Sequence, residues 1–225
     1  LIGVISLILI SYITFYFSRY FQSISTILYV ALCVRLFVLY LGNYYVVLPD
    51  SWGDATIFER EAWEMSQDGF FEVFEKFPSD RNSLFISWIL AIFYSLTDRS
   101  VILGQSLSLL VGMGSVLIGV RLTNKIWNKK ISLKVGWILA LYPTLILYSC
   151  LILREAYIWF FLLIAIYGIV SWFEKRSVKA FTFIFIGFTG ATFYHGGMFI
   201  GLFIFFCILV IANLIETIKR LKYFK

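Results

Sequence analysis

The sequence predicts an all-α, polytopic membrane protein with about seven transmembrane helices and an acidic outer loop of juxtamembrane helices. Three observations carry this expectation. The 225 residues are 61% hydrophobic and 20% aromatic but only 14% charged, with a mean hydropathy of +0.89, too apolar for a soluble domain. Apolar runs of Leu, Ile and Phe continue for roughly 15 to 20 residues, near the length that crosses a bilayer as a helix, and lack the alternation of a transmembrane barrel. Nine of the thirteen acidic residues lie between Asn43 and Asn82 against Arg60, Lys76 and Arg81, so this segment is net −6 inside a chain that is +6.

The expected spans are residues 1–17, 24–42, 101–122, 133–149, 156–173, 180–194 and 198–215. Arg35 falls inside the second and has three readings: snorkelling, pairing with an acid, or contact with a lipid headgroup. The loop that follows, residues 43–98, is expected as an insertion within a single transmembrane domain covering 1–225. Ser51-Trp52-Gly53-Asp54 reads as a helix start, with Ser51 or Asp54 as the cap. Ala55, Phe58, Ala62 and Met65 then form an apolar stripe, while Glu59, Arg60 and Glu64 are expected to face water, which describes a short amphipathic helix on the membrane surface. The run 84–96 has only about 13 residues where a span needs about 20.

Charge decides how that short run is placed. Residues 121–134 hold Arg121, Lys125, Lys129, Lys130 and Lys134 with no acid, residues 174–179 are net basic, and the tail carries Lys219, Arg220, Lys222 and Lys225. Basic loops stay cytoplasmic. If 84–96 does not cross, all three basic segments lie inside and the acidic loop lies outside, so 84–96 is expected as a juxtamembrane or re-entrant helix. The same parity brings Tyr148 to Glu155 and His195-Gly196-Gly197 to the outer face, where Asp54, Arg154, Glu155 and His195 can meet. Ionisable groups at membrane depth need partners or water, so such a set is a site hypothesis.

Pro143 interrupts the span 133–149 and is expected to bend it and break its outer end before the next helix. Arg154 and Glu155 follow that break. They read either as a mutual ion pair or as a phosphate-binding Arg beside a substrate-orienting or cation-holding Glu; adjacent helical positions point about 100° apart, which favours separate partners. His195, the one histidine, reads as a hydrated loop residue or as a contact to phosphate or a sugar hydroxyl. Aromatic residues such as Trp52, Trp63, Trp88, Tyr44 and Tyr45 are expected as interface anchors. Cys33, Cys150 and Cys207 are odd in number and far apart, so they read as small core residues rather than a disulfide or zinc set. The pI near 9.2 reflects topology-setting loops rather than nucleic-acid binding. There is no Walker A loop, dinucleotide fingerprint or HExxH. The chain begins at Leu1 and ends in a basic stretch, so it reads as a fragment, with no recognisable signal peptide.

The order of Gly53-Asp54-Ala55, Pro78, a short apolar helix, a span, a basic turn, and Leu141-Tyr142-Pro143 leading to Ser149 and Arg154-Glu155 resembles the GT-C superfamily of polyprenyl-phosphate-dependent glycosyltransferases. The likeness is to the bacterial relatives of protein O-mannosyltransferases and aminoarabinose transferases, over roughly residues 24–200. The resemblance implies an inverting transfer of sugar from a polyprenyl-phosphate-linked donor to a glycan, lipid or protein acceptor, on the outer face of a bacterial inner membrane. It implies Asp54 as base or acceptor-binding carboxylate, Glu155 as the second acid and Arg154 as the cation at the departing phosphate; Glu59 and His195 are further candidate substrate contacts. Many relatives pair two acids in the first loop, whereas Asp54 is followed by Ala55, with Asp50 and Glu59 the nearest other carboxylates. Some members carry a divalent cation and others do not, so metal need stays open. The alternatives are a multi-span polysaccharide polymerase or ligase and a transporter or flippase of lipid-linked sugars.

Overall fold

The computed structural model describes residues 1–78 and 84–223, with side chains through residue 211. Asp80 and Arg81 of the acidic loop, and the basic side chains of the tail, lie outside the described residues. The described residues form helices joined by turns and short irregular segments, with no strand among them. The helices are α1 (Ile2–Tyr20), α2 (Ser25–Tyr44), α3 (Asp54–Ser66), α4 (Phe70–Glu75), α5 (Phe85–Leu96), α6 (Val101–Ile126), α7 (Lys129–Leu141), α8 (Pro143–Cys150), α9 (Arg154–Glu174), α10 (Val178–Tyr194) and α11 (Phe199–Tyr223).

Four of these, α1, α2 with the turn before it, α6 and α9, are long and apolar enough to cross a bilayer, and α7 with α8 makes a fifth if the bent pair is one span. Residues 178–194 and 196–211 are apolar but shorter among the described residues, so length supports four or five spans where the sequence suggested seven. Helix α5 has 12 residues, about 18 Å against a hydrocarbon core of about 30 Å. It packs against α3 and the extended residues 151–153, burying Ile86, Leu90, Ala91 and Tyr94, and so covers one end of the bundle.

Helix α6 is the hub, in contact with α1, α2, α7, α8 and α9. Its inward face carries Gly104, Ser106, Ser108, Gly112, Ser115 and Gly119, small residues that let helices approach where no water is available to drive packing. At Gly112 a Cβ would stand 2.3 Å from the Ser149 Cβ. The bundle is polar at both ends. One end gathers the C-terminus of α2, helices α3 to α5, the start of α6 and the 151–155 segment. The other gathers the basic loops, where Arg121 lies over the Phe21 ring at 5.1 Å and Lys125 pairs with Glu174 at 2.5 Å. Ser100, Asn128 and Ser177 cap α6, α7 and α10, which sets where each helix leaves these ends.

The break at Pro143 is present. Helices α7 and α8 meet at 54°, with Pro143 as the first residue of α8 rather than inside a continuous helix. Pro143 offers no N–H to the Leu139 carbonyl, and α7 ends before Thr144 reaches Ala140. Arg35 takes their place: its Nη2 donates to Leu139 O at 3.3 Å, Nη1 to Ala140 O at 3.0 Å and to Ala31 O at 3.1 Å, and Nε to Ser149 Oγ at 2.9 Å. Arg35 is 1% exposed and no carboxylate pairs with it among the described residues. It neither snorkels nor meets an acid; the negative end of the α7 dipole supplies the compensation.

Two local expectations are corrected. Neither Ser51 nor Asp54 caps α3: Gly53 holds the cap position, Asp54 is the first helical residue, and the Ser51 hydroxyl donates to Leu48 O at 2.6 Å. Cys33 is exposed and Cys207 half-buried, and only Cys150 is a core residue, because α2 turns its Cys33 side outward toward lipid.

Candidate functional site

The chain from Leu48 to Ala55 forms a ridge across the acidic end, turned by Asp50 in a left-handed conformation (φ 61°) that aspartate tolerates better than most side chains. On one side of this ridge is an open cleft of about 500 Å³, bordered by Asp50, Trp52, Gly53, Asp54, Tyr148, Leu153 and Glu155. Asp54 reaches it from the first turn of α3 and Glu155 from the first turn of α9. The 54° break and the extended passage 151–153 are what return the chain to this end, so the two carboxylates share a cleft although 101 positions separate them. A Cβ on Gly53 would meet no atom within 4 Å, so the position opens onto free space at the cleft.

Arg154 and Glu155 are nearer each other than their helical positions suggest, with Arg154 Nε 3.5 Å from Glu155 Oε1. The mutual pair is therefore present, against the expectation of separate partners, because both side chains lie at a helix start where they can lean out of register. It satisfies one carboxylate oxygen. The other, Oε2, is buried with no hydrogen-bond partner among the described residues, a costly arrangement in a residue that borders the cleft. Arg154 itself does not line the cleft. Asp50, Asp54 and Glu155 border it without converging: no cluster of three His, Cys, Asp or Glu residues suited to a metal occurs among the described residues.

Glu59 lies elsewhere. It is 6% exposed, not water-facing, and Arg99 grips it through Nε to Oε1 at 3.0 Å and Nη2 to Oε2 at 2.6 Å, while the Tyr94 hydroxyl donates to Oε1 at 3.0 Å. Burial, then the Glu59 carboxylate, pushes the Tyr94 hydroxyl well above the ordinary tyrosine value. The hydrogen bond to Glu59 raises the Arg99 guanidinium above its ordinary value. Arg99 escaped the sequence reading. Its available signal was a cation directly before the Ser100 cap of an apolar helix, a place that calls for an anion.

His195 ends α10 at the same end of the bundle, exposed, and borders none of the clefts described. The residue before it, Tyr194, is stacked on Tyr157 with centroids 4.7 Å apart. Trp88 donates to Val73 O at 2.8 Å and Trp63 packs edge-on against Tyr94, so these two help build the α3–α5 cover, while Trp52 stands exposed at the cleft. Of the residues singled out by sequence, the cleft unites Asp54 and Glu155, keeps Arg154 at Glu155's side, and leaves out Glu59 and His195. No protein-family model, curated protein or solved structure matches the chain.

Proposed function

We propose that this chain is a membrane glycosyltransferase that moves a sugar from a polyprenyl-phosphate-linked donor to a hydroxyl acceptor with inversion. The observation that carries the reading is the shared cleft of Asp54 and Glu155, at the end of the bundle opposite the basic loops. In this reading α10 and α11 also cross, giving seven spans, and the acidic end faces outward from a bacterial inner membrane in the GT-C manner.

The chemistry asks for a base and for positive charge. The acceptor hydroxyl attacks the anomeric carbon, its proton passes to the Asp54 carboxylate, and the bond from that carbon to the phosphate oxygen breaks with its electron pair leaving on the phosphate. Inversion needs the base and the departing group on opposite faces of the sugar. Glu155, on the border of the same cleft, orients an acceptor or sugar hydroxyl. The resemblance gives the departing phosphate to Arg154.

The test is transfer by the purified chain in nanodiscs, from polyprenyl-phosphate sugars of several kinds. Asp54→Asn is expected to slow transfer by about 10²- to 10⁴-fold, the usual worth of a general base; transfer at the native rate removes Asp54 from that role. A transporter of lipid-linked sugars is the second reading, favoured by the broken α7–α8 pair with a cation at the end of a half-helix, as in transporters built from discontinuous helices. Movement of donor across proteoliposomes without transfer of sugar selects it.

A further inference from the structure

The ridge has a second side. Leu48 also borders a cleft of about 420 Å³ between the C-terminus of α2, helix α3 and the start of α6, with Arg60, Arg99 and Glu59 as its charged residues. The acidic cleft is therefore bordered by three carboxylates and no cation, while this one is net positive. Its donors exceed its acceptors. Glu59 has both oxygens occupied and holds Arg99 by Nε and Nη2, leaving the two Nη1 protons without a partner among the described residues. Gln105, 6% exposed, accepts from Asn43 Nδ2 at 2.9 Å, and its own Nε2 has no partner among the described residues. Arg60 Nε is 3.8 Å from Glu64, beyond hydrogen-bond length. Val101, Leu151 and Ile152 form an apolar wall beside these donors.

We propose that this cleft binds the phosphate of a phosphate ester, lipid-borne or free. A fixed guanidinium edge, a mobile guanidinium and a buried amide offer planar and flexible donors to phosphate oxygens, and the apolar wall suits the chain of a lipid carrier. Arg154 lines neither cleft and lies against Glu155, so at this site Arg60 and Arg99 meet the phosphate in place of the Arg154 that the resemblance names. As the donor's phosphate site this rests on the transferase reading; as a binding site it is tested without turnover.

The full chain is placed in phosphatidylcholine nanodiscs and its Tm followed in two series, one with inorganic phosphate and one with rising phosphatidic acid in the bilayer. A saturable rise is expected in at least one: with phosphate alone the ester is free, and with phosphatidic acid only it is lipid-borne. Arg99→Gln strips a buried carboxylate of its partner and can unfold the chain, so the exposed Arg60→Gln carries the test, with apparent affinity expected to fall about tenfold. Glu59→Gln, which leaves Arg99 uncompensated, is expected to tighten binding a few-fold. No response in either series, or native binding by Arg60→Gln, overturns the site. Phosphate binding without sugar transfer overturns the transferase reading alone; sugar transfer with native binding by Arg60→Gln overturns this one alone.

Discussion

At the scale of single residues, the Glu59–Arg99–Tyr94 cluster separates what each partner contributes. Removing Arg99 leaves a buried carboxylate with one neutral donor, whereas Glu59→Gln leaves a guanidinium that water already reaches, since Arg99's side chain is 46% exposed against 8% for Glu59. Arg99→Ala is expected to cost about 2–3 kcal/mol, less than a fully buried pair would because one partner is half in water. Glu59→Gln is expected to cost about 1 kcal/mol. Denaturant melts of both variants test the order, and equal costs would mean the carboxylate is not buried in solution. Tyr94 adds a pH dependence. Its raised pKa means the folded chain keeps a proton that the unfolded chain loses, so this contribution is complete below about pH 10, the ordinary tyrosine value, and declines as pH climbs further. Melting temperatures from pH 8 to 11 should fall more gently for Tyr94→Phe than for the native chain.

Elements show where a one-dimensional reading succeeds. Helix α3 with its Ala55, Phe58 and Ala62 stripe, the short α5 and the break at Pro143 were all legible, because each follows from periodicity, length or a missing N–H within one segment. The fates of Glu59 and Arg35 were not, since their partners outside their own helices lie 35 to 40 and 104 to 114 positions away. Helical spacing put Glu59 on the water-facing side of α3, and the arrival of α5 and Arg99 buried it instead. The Pro143 break and Arg35 act as one device. Arg35→Met should lower stability by about 2–4 kcal/mol, for it orphans a buried and a part-buried carbonyl at the end of α7. Pro143→Ala should partly rescue Arg35→Met by returning an N–H to the Leu139 carbonyl. A double-mutant cycle that came out additive would show the two to be uncoupled. Gly112→Ala forces a Cβ against Ser149 and should cost about 1–3 kcal/mol by overpacking.

For the whole molecule the governing feature is the separation of charge, with acids and both clefts at one end and basic loops at the other. After Cys33, Cys150 and Cys207 are replaced by alanine, single cysteines at Asp68 and Lys175, both exposed, should react with a membrane-impermeant maleimide from opposite faces of sealed vesicles. Labelling from one face would undo the topology and the transferase reading with it. The buried arginine of α2 also has a consequence for how the protein is made. Its carbonyl partners at Leu139 and Ala140 lie 104 and 105 residues downstream, and ribosomes add roughly 5–20 residues per second. Helix α2 therefore enters the bilayer roughly 5–20 s before the groups that will receive its charge exist. A nascent chain halted in that interval holds its cation in lipid with the Ala31 carbonyl of its own helix as partner but not those of α7, at an insertion penalty of about 2.5–3.5 kcal/mol, and should slip back toward water or recruit a holding factor until α7 is synthesised.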